Sequence, residues 1–400
     1  MALTVATTDP NPSDDRALMG RAIRLARRGR GRVEPNPVVG CVIARAGQVI
    51  GEGHHRRFGG PHAEIEALRD CRKRGTEPAG ADVYVTLEPC AHHGKTPPCA
   101  DALVEAGVGT VHAAIEDPNP QVAGRGLERL RAAGIDVDLG TCADEATELV
   151  EAYLKRVRTG LPWVILKWAQ TLDGAIATAD GDSRWISGAA SRRRVHRLRA
   201  QVDAIMVGIG TVLGDDPLLT ARDVPVHRIA RRVVVDPNAR LPAECRLLTT
   251  LDAAHPVTVA VRAELLDDDD PRVRALAERG VEIVGLPKRG QTPFSSDGAM
   301  DLRPLMEHLS AVRSATRVLV EGGSRLAGAL FAQNLVDQVQ AYVAPKVLAA
   351  TGALPAASGL ARTRIEHADR LVLNSMRRIG DDVLLDYRVE GGGGGREIDY

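Results

Sequence analysis

At 400 residues the chain exceeds what one hydrophobic core usually organises, and a prior of about 150 residues per domain predicts two domains. Its 52 basic residues balance 52 acidic ones, so no excess positive charge is available for a phosphate backbone and we expect no nucleic-acid partner. Six cysteines are too sparse for a disulfide scaffold, and we find neither a secretory leader nor a membrane-spanning apolar run, so we expect no membrane partner and a cytoplasmic location.

The first part of the chain alternates helical and β-type patterns. Leu18, Ala22, Leu25 and Ala26 recur at helical spacing and predict an amphipathic helix over 16–28. The elements expected next are a hairpin of strands 38–44 and 48–53, helix 62–73, strands 83–87 and 111–115, helix 126–133, strand 135–138 and helix 143–158. This order is typical of an α/β domain.

Turn-forming residues at 159–162 separate this part from a second series of strands and helices. Strand–helix–strand units are expected at 257–286 and 318–344. We therefore predict one domain over 14–150 and another over 160–390. Five consecutive glycines open the last segment, 391–400, and predict a flexible tail.

His62, Cys90 and Cys99 form a pattern suited to a metal ion. One imidazole and two thiolates are typical ligands of tetrahedral zinc, and a fourth position left open indicates catalysis. We expect His62 and Cys90 at or near helix N-termini, where the helix dipole favours deprotonated ligands. Glu64 follows the histidine by two residues, so it is placed to take a proton from the attacking water and deliver it to a leaving amine.

The spacing of the two cysteines is unusual. Eight residues separate Cys90 from Cys99, whereas two residues separate the cysteines in the sequence signature of zinc-dependent nucleobase deaminases. Taken singly, each cysteine is read as a small buried hydrophobe and His62 as a helix cap. The combination of the three residues with Glu64 favours the metal centre.

A second feature with chemical meaning is the turn Glu321-Gly322-Gly323-Ser324, between a predicted strand and a predicted helix. Backbone N–H groups at such a turn can receive a phosphate. A plain tight turn is the alternative. No strict G-x-G-x-x-G follows a strand, so the usual dinucleotide-binding fold is not indicated.

Longer segments carry a resemblance to a known family, over roughly 15–390. In the first half they are 35–40 (Pro-Asn-Pro-Val-Val-Gly), 53–55, 60–64, 86–99 and 117–120 (Asp-Pro-Asn-Pro). In the second half they are 166–167, 172–174, 183–187, 198–200, 203–205, 208–212, 215–222 and 321–323. Together they closely resemble the bifunctional deaminase-reductases of riboflavin biosynthesis.

The resemblance implies a fold for each half and two consecutive reactions. It implies an N-terminal cytidine-deaminase-like three-layer α/β/α domain and a C-terminal dihydrofolate-reductase-like α/β domain. The first would deaminate 2,5-diamino-6-(5-phosphoribosylamino)pyrimidin-4-one hydrolytically with one zinc ion per chain. The second would use NADPH to reduce the ribosyl group to ribityl. The expected partner is therefore a small phosphoribosyl-pyrimidine, and a homo-oligomer is expected because paired assemblies are common.

The resemblance also implies binding residues. The substrate contacts in the first half would be Asn36, His55, His92, Lys95 and Thr96. The cofactor contacts in the second half would be Ala169, Trp185, Thr211, Asp215, Gly323, Ser324, Arg325, Leu326, Ala327, Gly328 and Ala329. The substrate contacts there would be Ser183, Arg199, Leu219, Arg222 and Glu321. The guanidinium groups of Arg199 and Arg222 suit a sugar phosphate, because their forked donors bind phosphate oxygens in pairs.

Lys167 and Glu321 are the catalytic candidates of the second half, because an imine that accepts hydride needs a nearby proton donor. A structural ion pair is the competing interpretation. Two departures from the family pattern affect the expected contacts. Ala91 stands where relatives often carry serine, and the segment 345–350 ends in two alanines where relatives usually continue with glycines.

Other interpretations stay open on the sequence alone. The polar run 92–95 is also compatible with an ordinary solvated loop. A nucleoside or base deaminase fused to an unrelated reductase is one alternative function. A non-catalytic, zinc-stabilised protein that binds a flavin precursor is another, and it would need four protein ligands on the metal.

Overall fold

A computed structural model describes residues 12–91, 98–120, 122–290, 299–360 and 362–391. The chain divides into two compact units, Met1–Arg158 and Thr159–Tyr400. The predicted tail lies outside the described residues except for Gly391. Within the described ranges, every helix is too short or too polar to cross a bilayer.

The first unit contains five strands and five helices among its described residues. The strands are β1 (Gly40–Arg45), β2 (Gln48–His54), β3 (Asp82–Val85), β4 (Thr110–Ala113) and β5 (Asp136–Leu139). The helices are α1 (Pro12–Ala26), α2 (Ala63–Arg74), α3 (Cys99–Glu105), α4 (Arg125–Ala132) and α5 (Ala143–Thr159).

The five strands form one sheet in the order β2-β1-β3-β4-β5. The hairpin β1–β2 is antiparallel, as predicted, while β3, β4 and β5 run parallel. Alternate residues of β1 enter two different cores: Val42 packs with α1 and α5, and Ile43 packs with α2, α3 and α4. Helices therefore cover both faces, which confirms the three-layer α/β/α architecture.

Glycines of the hairpin let both flanking helices approach the sheet closely. A Cβ on Gly40 would lie 2.0 Å from the Ala22 carbonyl oxygen of α1. A Cβ on Gly53 would lie 2.4 Å from the Ala67 nitrogen of α2. Side chains at these positions would push the helices away, so the glycines set where the N-terminus of α2 lies relative to β2.

The second unit is built on a larger sheet. Its strands are β6 (Trp163–Gln170), β7 (Ala175–Ala177), β8 (Ala204–Gly208), β9 (Arg231–Val235), β10 (Val257–Arg262), β11 (Glu282–Leu286), β12 (Arg317–Glu321), β13 (Gln338–Val343), β14 (Leu354–Pro355), β15 (Leu371–Ile379) and β16 (Asp382–Val389). Its helices are α6 (Ala189–Arg199), α7 (Ile209–Asp215), α8 (Arg246–Thr249), α9 (Glu264–Asp267), α10 (Pro271–Glu278), α11 (Arg303–Ala311) and α12 (Ser324–Ala332).

Nine of these strands form a sheet in the order β11-β10-β9-β8-β12-β6-β13-β16-β15, and β7 pairs with β14. Neighbours from β11 to β13 run parallel, and β16 and β15 are antiparallel additions at one edge. Adjacent residues of β12 enter opposite cores, Val318 and Val320 on one face and Leu319 on the other. Both faces of the central strands are therefore buried, as expected for a parallel α/β sheet.

The antiparallel hairpin of β15 and β16 was not predicted from the sequence. It supports α6, the helix that ends at the predicted substrate contact Arg199. The Asp382 carboxylate, 2% exposed, accepts hydrogen bonds from the Gly188 nitrogen at 2.8 Å and the Ser191 hydroxyl at 2.5 Å. These donors lie at the start of α6. An acidic side chain there satisfies the Gly188 N–H group, and its negative charge interacts favourably with the positive end of the helix dipole, so β16 anchors the helix that ends at Arg199.

One local prediction was wrong. Residues 88–91 have no regular secondary structure, and Cys99, rather than Cys90, begins a helix. Pro98 is the N-cap of α3, a position where the missing N–H of proline removes no helical hydrogen bond. The expectation for His62 was confirmed, because it is the N-cap of α2.

Candidate functional site

The three predicted metal ligands converge in the first unit. The His62 Nδ1 atom lies 3.2 Å from the Cys99 Sγ atom and 3.5 Å from the Cys90 Sγ atom. All three potential ligand atoms lie within 4.8 Å of one another. Zn–N and Zn–S bonds in a tetrahedral site place nitrogen and sulfur about 3.5 Å apart, so this set fits a zinc ion bound through Nδ1.

The electrostatics of the cluster favour ligand ionisation. Hydrogen bonds from Cys99 and His62 hold the pKa of the Cys90 thiol at about 4, although burial opposes this shift. The Cys90 contact and burial raise the pKa of Cys99. The same Cys90 contact raises the pKa of His62. Proton sharing of this kind marks three groups that need a cation to be deprotonated together.

Glu64 lies in the first turn of α2, beside the ligand cluster, and is 3% exposed. Burial raises its pKa to about 7, although the His62 charge opposes this. Its Oε2 atom is buried without a hydrogen-bond partner among the described residues. A buried carboxylate oxygen left unpaired next to three ligands fits a group that receives and returns a proton.

Two of the five predicted substrate contacts in this unit lie next to the cluster. The His55 ring meets the His62 ring edge-on, with centroids 5.3 Å apart. Its Nδ1 atom donates to the Pro61 carbonyl at 2.9 Å, because that oxygen can only accept. Burial lowers the pKa of His55, so the neutral ring accepts from the Asn36 amide at 3.4 Å through Nε2. The Asn36 side chain is thereby oriented beside the metal ligands.

The other three predicted contacts, His92, Lys95 and Thr96, lie outside the described residues. Their roles stay predictions from the sequence. Ala91, the last described residue before them, is partly buried.

The second unit brings Arg199 and Glu321 together, although 122 positions separate them. The guanidinium donates from Nε to Oε1 at 2.7 Å and from Nη2 to Oε2 at 2.9 Å. Burial alone would oppose ionisation of Glu321, but Arg199, with a contribution from Lys167, holds the pKa of this carboxyl at about 2. Glu321 is therefore a carboxylate at neutral pH, and this geometry favours a role in orienting Arg199.

Lys167 neighbours this ion pair across the sheet, because β6 and β12 pair Lys167 with Glu321. Its Nζ atom lies 5.6 Å from the centroid of the Tyr342 ring on β13. Burial lowers the pKa of Lys167, and the charge of Glu321 opposes that shift. An ammonium that loses its proton more readily than usual suits a proton donor, so Lys167 fits this role better than Glu321 does.

Arg222 joins the same corner of the unit through the loop after α7. Its backbone nitrogen donates to His196 Nδ1 at 3.1 Å, and its Nη1 atom lies 3.3 Å from the Thr220 hydroxyl. Arg199 donates to the Thr220 carbonyl at 3.1 Å. Leu219, 2% exposed, has a φ of 51°, a left-handed backbone that is costly for leucine. The loop thus holds two arginines together, as anion recognition requires.

The glycines after β12 form a second predicted site. Gly322 and Gly323 have φ angles of 74° and 87°. A Cβ on Gly322 would lie 3.0 Å from the Thr211 hydroxyl of α7, and one on Gly323 would lie 3.6 Å from the Gly208 nitrogen. The N-termini of α7 and α12 therefore meet at one point, which is an arrangement that receives phosphate groups. The predicted cofactor contacts Thr211 and 323–329 belong to this region.

Ser183 and Trp185 line a cavity whose other wall is the segment 346–348. Trp185 is 63% exposed, and its carbonyl accepts a hydrogen bond from Lys346 Nζ at 2.5 Å. The predicted contact Ala169 lies elsewhere, packed in a small cluster that includes Val195 and Tyr342. Asp215, the last residue of α7, is 3.4 Å from the Arg184 guanidinium.

The alanines that depart from the family pattern lie next to this cavity. Ala349 has a φ of 49°, a conformation in which glycine is favoured. The Asp173 carboxylate accepts from the Ala349 nitrogen at 2.7 Å and from the Leu348 nitrogen at 3.1 Å. These hydrogen bonds hold the segment in place despite the backbone strain.

Sequence reasoning missed several residues of these sites. Asp173 and Glu88 each accept backbone hydrogen bonds next to a predicted site, Asp173 from Ala349 and Glu88 from Gly126. Both lie in segments that resemble the family, but neither was assigned a role from the sequence. An acidic residue between an apolar strand and Pro89-Cys90 was the available signal for Glu88. His196 was not singled out from the sequence, but its imidazole accepts a hydrogen bond from the Arg222 backbone nitrogen.

Two family models match the chain. The first, described as the cytidine and deoxycytidylate deaminase zinc-binding region, matches residues 12–115. The second, described as the RibD C-terminal domain, matches residues 162–385. The metal cluster lies in the first match, and the Arg199–Glu321 pair lies in the second.

Named relatives match nearly the whole chain. The riboflavin biosynthesis protein RibD of Escherichia coli K12 is 42% identical over 374 residues, which cover 93% of this chain and 98% of that protein. RibD of Actinobacillus pleuropneumoniae is 39% identical over 371 residues, covering 93% and 94%.

Solved structures agree over the same extent. A structure of Acinetobacter baumannii RibD has a TM-score of 0.81 at 36% identity and covers 95% of this chain and 100% of its own. A Thermotoga maritima diaminohydroxyphosphoribosylaminopyrimidine deaminase/5-amino-6-(5-phosphoribosylamino)uracil reductase has a TM-score of 0.80 at 34% identity and covers 94% and 99%.

The metal cluster is tested by replacing one ligand. Cys90→Ala should reduce the zinc retained after dialysis from about one equivalent per chain to a trace, because two ligands do not hold the ion. Metal content is measured by mass spectrometry of the purified protein. Cys142→Ala is the matched control, since this buried thiol of the same unit packs in the core between α1 and α5 and is not part of the ligand cluster. Full zinc retention by Cys90→Ala would contradict the ligand assignment.

Proposed function

This chain belongs to the RibD family of riboflavin biosynthesis proteins, and from that membership we propose which substrate each site takes and which residues act in it. It is a bifunctional deaminase and reductase, with a zinc-binding deaminase domain and a reductase domain that implies a nicotinamide cofactor. Family membership also removes the alternatives of an unrelated reductase and of a non-catalytic binding protein.

The first site deaminates 2,5-diamino-6-(5-phosphoribosylamino)pyrimidin-4-one. The observation that carries this proposal is the buried, unpaired Glu64 oxygen beside the convergent His62, Cys90 and Cys99. A zinc ion held by those three residues, one per chain, supplies Lewis acidity. Glu64 takes the proton of the attacking water and delivers it to the leaving amine. Asn36, oriented by His55, contacts the pyrimidine, and the segment with His92, Lys95 and Thr96 binds its phosphate.

Glu64→Gln separates the two activities. The amide is isosteric but cannot accept the proton, so ammonia release should fall by roughly 10²–10⁴-fold. Zinc content should stay at the wild-type level, and NADPH oxidation on substrate that is already deaminated should stay within about twofold, because Glu64 belongs to the first unit and the proposed reductase residues belong to the second. Ammonia is measured by a coupled assay and NADPH by its absorbance. Loss of both activities together would contradict this division of labour.

The second site reduces the ribosyl group of the deaminated product to ribityl. NADPH, the proposed cofactor, supplies the hydride. Thr211 and the segment 323–329 bind it near the starts of α7 and α12, with Asp215, Ala169 and Trp185 as further contacts. Lys167 donates the proton, while Glu321 holds Arg199 in a fixed orientation toward the sugar phosphate. Ser183, Leu219 and Arg222 complete the substrate contacts.

Arg222→Gln tests the phosphate contact. Arg222 is exposed, and among the described residues its side chain makes one long hydrogen bond, to the Thr220 hydroxyl at 3.3 Å, so the substitution leaves the fold intact. Losing one charge-assisted contact should raise KM for the deaminated substrate by about 10-fold while kcat changes by less than about twofold. Arg193→Gln, an equal charge change at an exposed position of α6, should leave both constants unchanged. An unchanged KM for Arg222→Gln would remove this residue from the substrate site.

The chain also forms a homo-oligomer in this proposal, through the edge strand β15. Leu373 and Met376 of this strand are 51% and 68% exposed, and an apolar edge strand is a template for pairing with a second copy. Leu373→Glu should therefore shift the molar mass from oligomer to monomer in light scattering. Val312→Glu, at a residue 59% exposed on the same unit, should not. A wild-type protein that is monomeric at micromolar concentration would overturn this proposal.

A further inference from the structure

We propose that Glu88 is a positioning residue of the deaminase: it fixes the backbone that carries Cys90, and through it the geometry of the metal ligands. Glu88 is 4% exposed, and its side-chain hydrogen bonds join it to backbone N–H groups rather than to the candidate ligands. The catalytic importance of that geometry rests on the proposed function, whereas the contacts of Glu88 do not depend on it.

The buried side chain of Glu88 is surrounded by backbone hydrogen-bond donors. Its Oε2 atom accepts hydrogen bonds from the Asp117 nitrogen at 3.1 Å and the Gly124 nitrogen at 3.0 Å. Its Oε1 atom accepts from the Gly126 nitrogen at 2.8 Å. Three backbone donors on two oxygens require a carboxylate, since an amide has one oxygen and would turn an NH₂ group toward an N–H. The side chain therefore ties the segment that carries Cys90 to Asp117 and to the start of α4.

The second observation is a close backbone contact at the same place. A Cβ on Gly126 would lie 1.9 Å from the Pro89 carbonyl oxygen. The first turn of α4 therefore packs directly on the peptide that joins Pro89 to Cys90. The hydrogen bond from the Gly126 nitrogen to Glu88 stabilises this contact. The absence of a side chain at Gly126 makes the close approach possible.

The third observation is that both ends of the connection are anchored. Asp117 accepts a hydrogen bond from the Tyr153 hydroxyl of α5 at 2.9 Å, which attaches its loop to the long helix. Beyond Pro89, the Cys90 carbonyl accepts from the Ala100 nitrogen at 3.1 Å, and the Cys90 sulfur accepts from the Cys99 nitrogen at 3.4 Å. Cys90 thus lies between α3 on one side and the Glu88 contacts on the other. Moving Glu88 displaces the sulfur relative to His62 and Cys99.

The alternative is that Glu88 only stabilises the N-terminus of α4. A stabilising residue would change the melting temperature of the unit and leave the metal geometry unchanged. A positioning residue changes zinc affinity and the ligand field of a cobalt ion placed in the site. Replacing a residue that positions a metal ligand without binding the metal itself changes metal affinity by roughly 10–100-fold.

The experiment compares the full-length Glu88→Gln and Gly126→Ala variants with wild type, and uses Glu128→Gln as the matched control. Glu128 is an exposed acidic residue in the first turn of the same helix. Zinc affinity is measured by competition with a chromophoric chelator, and the thiolate-to-cobalt charge-transfer bands are recorded after cobalt substitution. Far-UV circular dichroism reports folding. Glu88→Asp, which keeps the charge but shortens the side chain, replaces Glu88→Gln if the latter does not fold.

We expect zinc affinity to fall by about 10–100-fold in Glu88→Gln and in Gly126→Ala, with shifted cobalt bands in both, and wild-type behaviour in Glu128→Gln. Folded variants with lower melting temperature but wild-type affinity and cobalt bands would overturn the proposal and leave Glu88 a helix cap. Neither measurement uses substrate. A wild-type protein that releases no ammonia would overturn the proposed function alone.

Discussion

A carboxylate removed from water must be compensated by a cation or by hydrogen-bond donors, and three buried glutamates of this chain meet that requirement differently. Glu321 is paired with Arg199 through two hydrogen bonds and is fully ionised. Glu88 is compensated by three backbone N–H groups. Glu64 keeps one oxygen without a partner among the described residues, and burial raises its pKa to about 7. The kind of compensation separates a group that orients from one that exchanges protons.

Both units use the starts of helices to assemble their sites. His62 is the N-cap of α2, and the first turn of that helix carries Glu64, so one element positions a ligand and an acid/base group together. Cys99 begins α3 and donates its backbone N–H to the sulfur of Cys90. In the second unit the starts of α7 and α12 meet around Gly208 and Gly323. Helix N-termini combine unsatisfied N–H groups with a positive dipole end, which suits thiolates and phosphates alike.

In both units the sheet is buried on its two faces, but the strands at the edges of the two sheets differ. In each, alternate strand residues enter separate cores, so both faces of the central strands are covered. The second sheet continues into the antiparallel strands β16 and β15, and Asp382 of this addition caps the helix that presents Arg199. An element at the edge of the sheet thereby contributes to the geometry of a site it does not line.

The sequence by itself determined the α/β character of both halves and the presence of a zinc-binding deaminase domain, because periodicity and ligand chemistry are local properties. Tertiary structure decided which groups meet. The pairing of Arg199 with Glu321 and the bonds from Glu88 to Gly126 join positions far apart in the chain. Periodicity predicts that a residue is buried but not which groups surround it, so the partners of each buried glutamate became visible only when the strands and loops were placed together.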